Sequence, residues 1–268
     1  MIYRDFIVES LRQASELARK KFGHVTGTVK PNDANQILTE ADLAIGQLLI
    51  ERIQKGFPND NIIDEESGVI NKGSERTWVI DPIDGTSNFA AGVPTYGILI
   101  GVLQNDIPVA GGASLPHFEE FYVAEKGQGA YCNGKNISVT REPHLRNALV
   151  SYGIDFFPEQ PKRLDEEINI LSDLITQIRN LRISNSVFDV VMVATGKYGG
   201  YLNRSGKIWD SVALHVILEE AGGTYTDFWG RSIDYSNALR RTSEGYTWCI
   251  APPQLHIQLQ AIIHKQSH

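Results

Sequence analysis

The chain has 268 residues, 42% hydrophobic and 21% charged, which suits a large core under an ordinary polar surface. Its 25 basic and 32 acidic residues give a net charge of −7, which argues against nucleic acid as the main partner because phosphate-backbone binding needs a basic face. The N-terminus carries charges where a signal peptide would be apolar, no apolar run reaches the roughly 18 residues of a membrane span, and Cys132 and Cys249 belong to no CxxC or Cys/His cluster. These features predict a cytoplasmic protein with reduced thiols and no membrane partner.

The first element is an amphipathic helix. Phe6, Ile7, Leu11, Ala14, Leu17 and Ala18 recur at helical spacing up to Gly23. Lys30-Pro31-Asn32-Asp33 reads as a loop. A second helix buries Ala41, Ile45, Leu48, Leu49 and Ile53 and stops at Gly56-Phe57-Pro58. Strand signals follow at Asn61 to Asp64, Thr77 to Ile80, Tyr96 to Leu103, Pro108 to Ala113 and Glu120 to Ala124, with turns at Gln104-Asn105-Asp106 and Pro116-His117.

Beyond Lys135 the pattern alternates. Strands are predicted near Ala148 to Tyr152, Leu181 to Ile183, Gly200 to Asn203, Thr224 to Thr226 and Thr247 to Ile250. Helices are predicted around Leu164 to Ile178, Val187 to Thr195 and Ser211 to Ala221, the last opened by Asp210 and closed by Gly222-Gly223, with a final helix from Pro253. With no repeat or linker, the expectation is one α+β unit over residues 1–268, in two packed halves of approximately 1–145 and 146–268.

Three separated segments place acids at element ends: Asp64-Glu65-Glu66-Ser67, Asp81-Pro82-Ile83-Asp84-Gly85-Thr86, and Trp209-Asp210. In the middle one an apolar strand delivers Asp81, Pro82 fixes a turn, and Asp84 emerges beside it. Two carboxylates this close stay ionised only next to cations, and an all-oxygen donor set selects magnesium or calcium over zinc. Gly85-Thr86-Ser87 permits close backbone approach and opens a helical turn whose N–H groups face an anion. Metal ligands followed at once by an anion cradle are what metal-assisted phosphoryl transfer requires. Asp-Pro and Asp-Gly are also good turn formers. Taken alone, Glu65 equally reads as a surface acid and Asp210 as a helix N-cap.

Glu65-Glu66-Ser67, the Asp81 to Phe89 string, and Trp209-Asp210-Ser211-Val212-Ala213 through Glu220-Ala221-Gly222-Gly223 resemble the three signature regions of the inositol monophosphatase family, in order and spacing across nearly the whole chain. The resemblance implies a layered αβαβα sandwich of the inositol monophosphatase/fructose-1,6-bisphosphatase type, usually dimeric and often lithium-sensitive. It implies two to three Mg2+, with Glu65, Asp81 and the Ile83 carbonyl at the first and Asp81, Asp84 and Asp210 at the second. A third, weaker ion would sit near Glu65, which also counts among the catalytic groups with Thr86 and Asp42. Thr86 and Asp42 would orient the attacking water, and the Gly85 and Thr86 amides would hold the phosphate. Asp84, Ser186, Asn203, Arg204 and Asp210 would contact the substrate.

The implied substrate is a small phosphorylated metabolite, most simply inositol 1-phosphate or another polyol or sugar phosphate. Histidinol phosphate and nucleotide 3′-phosphates are the alternatives, and a catalytically silent metabolite-binding relative is a non-enzymatic one. The sequence departs from the family pattern at Gln36, where an Asp is common, at Asn203, where the inositol enzymes carry a Glu that grips ring hydroxyls, and at Asn185-Ser186-Val187. Arg204 and Lys207 would suit a second anionic group.

Overall fold

A computed structural model describes residues 3–24, 27–30 and 33–265, without the side chains of residues 29–30 and 33–37. Helix α1 (Arg4–Lys21) buries Ile7, Leu11, Ala14 and Ala18, one stripe at three- and four-residue intervals. The segment read as a loop is flanked instead by a short antiparallel pair, β1 (Thr28–Lys30) and β2 (Asp33–Leu38), with Val29 opposite Ile37. Pro31 and Asn32 lie outside the described residues, and so does the side chain of Gln36. Turn-forming residues at the centre of the segment hid the β-branched residues on either side. Helix α2 (Glu40–Gly56) follows, with Thr39 as N-cap and Asp42 at the third helical position.

Next come β3 (Asn61–Asp64), β4 (Gly68–Ile70), β5 (Arg76–Asp84), the one-turn helix α3 (Thr86–Ala90), β6 (Gly97–Gln104), β7 (Ile107–Leu115), β8 (Glu120–Glu125), β9 (Ala130–Cys132) and β10 (Lys135–Asn136). Their strands form an eight-stranded sheet ordered β10-β9-β8-β7-β6-β5-β3-β4. The rest comprises β11 (Leu149–Gly153), α4 (Pro161–Ile175), β12 (Asn180–Arg182), α5 (Val187–Ala194), β13 (Gly200–Gly206), α6 (Ile208–Glu220), β14 (Thr224–Thr226), β15 (Tyr246–Ala251) and α7 (Pro253–Lys265). These strands form a five-stranded sheet, β12-β11-β13-β15-β14. Several predicted boundaries move. Helix α4 starts at Pro161, whose fixed φ suits a first helical position, and α6 starts before Asp210.

The side-chain alternation of the strands sorts the core into layers. Ile62, Trp78, Ile80, Ile98, Ile100 and Val102 pack against α1 and α2. Their neighbours Ile63, Val79, Leu99 and Leu103 face the other way and join α5, α6, Tyr201 and Ile250. On the second sheet Leu202, Cys249 and Ala251 turn outward to α4 and α7 through Ile170, Leu174, Leu255 and Leu259. The result is the αβαβα sandwich expected from the sequence, helix pairs enclosing and separating two sheets. Helices α5 and α6 form its middle layer, which explains why nearly every residue from Val187 to Ala194 is buried and apolar.

Candidate active site

Strand β5 is buried along most of its length and ends in the acids. Its ladder with β6 breaks between Asp81 and Asp84, where Pro82 has no N–H to donate. The break brings Asp84 round to the side of Asp81. Strand β3 runs parallel to β5 with Asp64 opposite Ile80, so the next residue, Glu65, emerges beside Asp81. Asp64 secures this turn by accepting the Ser67 N–H at 2.7 Å.

Asp210 arrives from the middle layer. Helix α6 lies directly on the first sheet because Gly101 and Gly111 carry no side chain there: a Cβ would fall 2.6 Å from Val212 Cγ1 at Gly101 and 2.3 Å from the Ala213 carbonyl at Gly111. Asp210 is the third residue of the helix and not its N-cap. Its Oδ2 accepts the Lys207 N–H at 2.6 Å, closing the helix end. Asp84 Oδ1 likewise accepts the Val187 N–H at the start of α5, at 2.6 Å. Two helix N-termini therefore fix two of the carboxylates.

One oxygen from each of Asp81, Asp84 and Asp210 lies within 4.8 Å of the other two. Burial and then the carboxylates of Glu65, Asp210 and Asp84 push the Asp81 carboxyl well above its usual range. Burial and then Asp210 do the same to Asp84, against the Val187 N–H. Asp81 Oδ1 is buried with no hydrogen-bond partner. An orphaned carboxylate oxygen among like charges fits a hard cation, and the all-oxygen donors suit magnesium-type ions. Glu65, Asp81, Asp84, Asp210 and Ile83 line one cavity of about 300 Å³.

At the same cavity Gly85, in the left-handed region at φ 84°, is the N-cap of α3. A side chain there would meet Ser186 Cβ at 3.0 Å. The Thr86 hydroxyl faces Ile83 O at 2.8 Å and Asp42 Oδ1 at 3.2 Å. Asp42 Oδ2 accepts the Thr39 N–H at 2.8 Å and the Thr39 hydroxyl at 2.6 Å. Asp42 therefore caps α2 with one oxygen and meets Thr86 with the other. Its carboxyl is raised chiefly by burial.

Ser186 and Asn203 also line the cavity. Ser186 Oγ donates to Thr95 O at 2.9 Å and accepts the Phe188 N–H as N-cap of α5. Arg204, expected at the substrate, is not among the lining residues. As the next residue along β13 it points to the opposite face, pairs with Glu166 at 3.1 Å and Glu167 at 3.7 Å, and covers the rings of Phe228 and Trp229. Lys207 Nζ turns away to the Ser243 carbonyl at 2.8 Å. Asp155, Ser205 and Trp248 do line the cavity, although the sequence reading passed over them. Nothing in Ile154-Asp155-Phe156 or in an isolated Ser205 marks a site, since only the parallel pairing of β11 with β13 brings them together.

Convergent acids, a hydroxyl–carboxylate pair and a glycine-initiated helical turn meet at one cavity, an arrangement whose donors suit hard cations. The sequence pattern of the inositol monophosphatase family matches residues 3–265, and the chain belongs to that family. It is 34% identical over 214 residues to an Aquifex aeolicus protein named fructose-1,6-bisphosphatase/inositol-1-monophosphatase, covering 79% of this chain and 80% of that one. It is 32% identical over 212 residues to the Nus factor SuhB of Pseudomonas aeruginosa, covering 76% of each. The solved Thermotoga maritima IMPase superposes with a TM-score of 0.87 at 28% identity, covering 100% of this chain and 98% of that one. The chain is thus a phosphatase-family protein, for which a small phosphorylated substrate is implied. Among the described residues, no helix is long and apolar enough to cross a membrane.

Proposed function

We propose that the chain hydrolyses a small phosphate monoester, an inositol, polyol or sugar phosphate, with two to three Mg2+ held by Glu65, Asp81, the Ile83 carbonyl, Asp84 and Asp210. The observation that carries this reading is the convergence of Asp81, Asp84 and Asp210 around the unpartnered Asp81 Oδ1. Bound divalent cations supply charge neutralisation at the phosphoryl group and acidify water. The residues themselves do the positioning. Thr86, directed by Asp42, holds a water in line with phosphorus, and Asp42 takes up its proton. The amides of Gly85 and Thr86 receive the phosphoryl oxygens, and Ser186 and Asn203 shape the wall that faces the leaving group. No nucleophilic side chain is required, so no phosphoenzyme forms. The two halves, approximately 1–145 and 146–268, act as one unit because the acids come from both. A cytoplasmic, lithium-sensitive homodimer is part of the same reading.

The test is phosphate release from inositol 1-phosphate, histidinol phosphate, a nucleotide 3′-phosphate and fructose phosphates, each with magnesium and with chelator. Turnover of at least one monoester, abolished by chelation, is expected. Negligible turnover of all of them, alongside tight magnesium-dependent ester binding in calorimetry, would mark a silent binding protein instead.

A further inference from the structure

Four side chains at the outer wall of the cavity close a hydrogen-bonded ring. Asn185 Nδ2 donates to both Asp155 oxygens, at 3.2 and 3.4 Å. Ser205 Oγ donates to Asp155 Oδ2 at 2.5 Å. Asn203 Nδ2 donates to Asn185 Oδ1 at 2.9 Å, and Asn203 Oδ1 accepts the Ser205 N–H at 2.6 Å, which completes the circuit. All four residues line the same cavity as the metal-site acids.

The backbone makes room for this ring. A Cβ on Gly153 would lie 2.2 Å from Asn185 Oδ1 and 2.6 Å from Asn203 Nδ2, so only glycine leaves space for the amide pair. Asn185 itself sits at φ 54°, a left-handed conformation that asparagine tolerates better than most residues.

The ring has a polarity. The Asn203 amide spends its N–H groups on Asn185 and on the Tyr201 hydroxyl. The Asn185 amide and the Ser205 hydroxyl spend theirs on Asp155. The donors are directed inward, and the lone pairs left over belong to the Asp155 carboxylate and the Ser205 hydroxyl. A surface that offers acceptors, one of them anionic, recognises hydrogen-bond donors and repels anions. Among the described residues that line the cavity there is no Lys, Arg or His to receive a second phosphate. The two cations the sequence suggested for that role, Arg204 and Lys207, are engaged elsewhere.

Resting on the proposed phosphomonoesterase reading, we infer that Asp155 is the specificity-determining residue of this site. Held by Asn185 and Ser205, it selects a leaving group that donates hydrogen bonds and carries no negative charge, and it rejects bisphosphates.

Fructose 1-phosphate and fructose 1,6-bisphosphate test this directly, because they share the 1-phosphate and differ covalently at C6, a hydroxyl in one and a phosphate in the other, with release of the 1-phosphate followed in both. The full-length protein with magnesium is expected to prefer fructose 1-phosphate by about tenfold or more in kcat/KM. Asp155→Asn should erode that ratio, and Asp155→Lys should reverse it. Ser205→Ala, which removes a single hydroxyl, should shift the ratio in the same direction as Asp155→Asn by a few fold and serves if the charge-changing variants fail to fold. Inositol 1-phosphate and histidinol phosphate run alongside separate the two kinds of donor. A larger loss for the first on Asp155→Asn assigns hydroxyl groups, and a larger loss for the second assigns an ammonium. An active wild type that prefers the bisphosphate, or a ratio unmoved by both Asp155→Asn and Ser205→Ala, would overturn the inference while leaving the phosphatase reading intact. A wild type inactive on every monoester would overturn both.

Discussion

The inner and outer parts of the cavity handle buried polar groups in opposite ways. At the inner end Asp81, Asp84 and Asp210 crowd together with Glu65, and Asp81 keeps an oxygen with no partner. At the outer end Asp155, Asn185, Asn203 and Ser205 satisfy one another in a closed ring. The inner arrangement crowds like charges without a matching cationic side chain among its lining residues. The outer one is complete and presents a fixed donor–acceptor pattern. The inner end crowds several carboxylates together, whereas the outer end holds a single carboxylate in place with neutral donors.

The largest expected effect falls on the inner end. Asp84→Asn removes one charge of the proposed metal site, and turnover should drop by about a thousandfold or more, measured as phosphate release under saturating magnesium. The same variant should fold as stably as the wild type without metal, because one member of a repelling set has gone. A variant with normal turnover would break the assignment.

The pH dependence of the metal-free protein sharpens the same point. Asp81 and Asp84 have folded-state pKa values raised above the unfolded carboxylate value of about 3.9. The stability they contribute is present below the unfolded pKa and is lost as pH rises through the raised folded values. In chelator, Tm should therefore be lower at neutral pH than at mildly acidic pH, and Asp81→Asn should make the difference smaller. A chelated protein equally stable at both pH values would contradict the charge crowding.

Smaller effects belong to groups that position others. Asp42→Asn keeps a side chain able to cap α2 and weakens the link to Thr86, so kcat should fall by about tenfold to a hundredfold with little change in Tm. Gly153→Ala pushes a methyl between Asn185 and Asn203. It should raise KM several-fold more than it lowers kcat, which steady-state kinetics would show. The smallest effect on substrate choice is expected for Arg204→Ala. This substitution leaves the cavity untouched and destabilises the fold by about 1 kcal/mol by removing the guanidinium from the Phe228 and Trp229 rings, while Glu167 keeps Arg163 at 3.0 Å, readable by denaturant unfolding.

Much of the inner end was legible in the sequence, because its acids sit in contiguous strings whose neighbours reveal the local structure. An apolar run, a proline and a glycine surround Asp81 and Asp84, and a helix pattern follows Asp210. The layered architecture was implied by the family resemblance, and the near-continuous apolar runs of β5 and β6, buried on both faces, are what that architecture requires. The outer end was not. Its ring joins residues from the loop after β11, the lead into α5, and β13, and no local pattern announces pairings that depend on sheet order. Arg204 shows the same limit from the other side. Its neighbour Asn203 faces the cavity, and the period-two rule that sends Arg204 the opposite way acts only once β13 is placed in its sheet. The short strands β4, β9 and β10 are too brief for periodicity to register.

Calorimetric titration of the purified protein with magnesium, wild type against Asp81→Asn, tests the central claim most directly. The predicted result is magnesium binding and a magnesium-dependent rise in Tm for the wild type, both lost or reduced by at least an order of magnitude in the variant. Equal affinity and stoichiometry in the two proteins would contradict it.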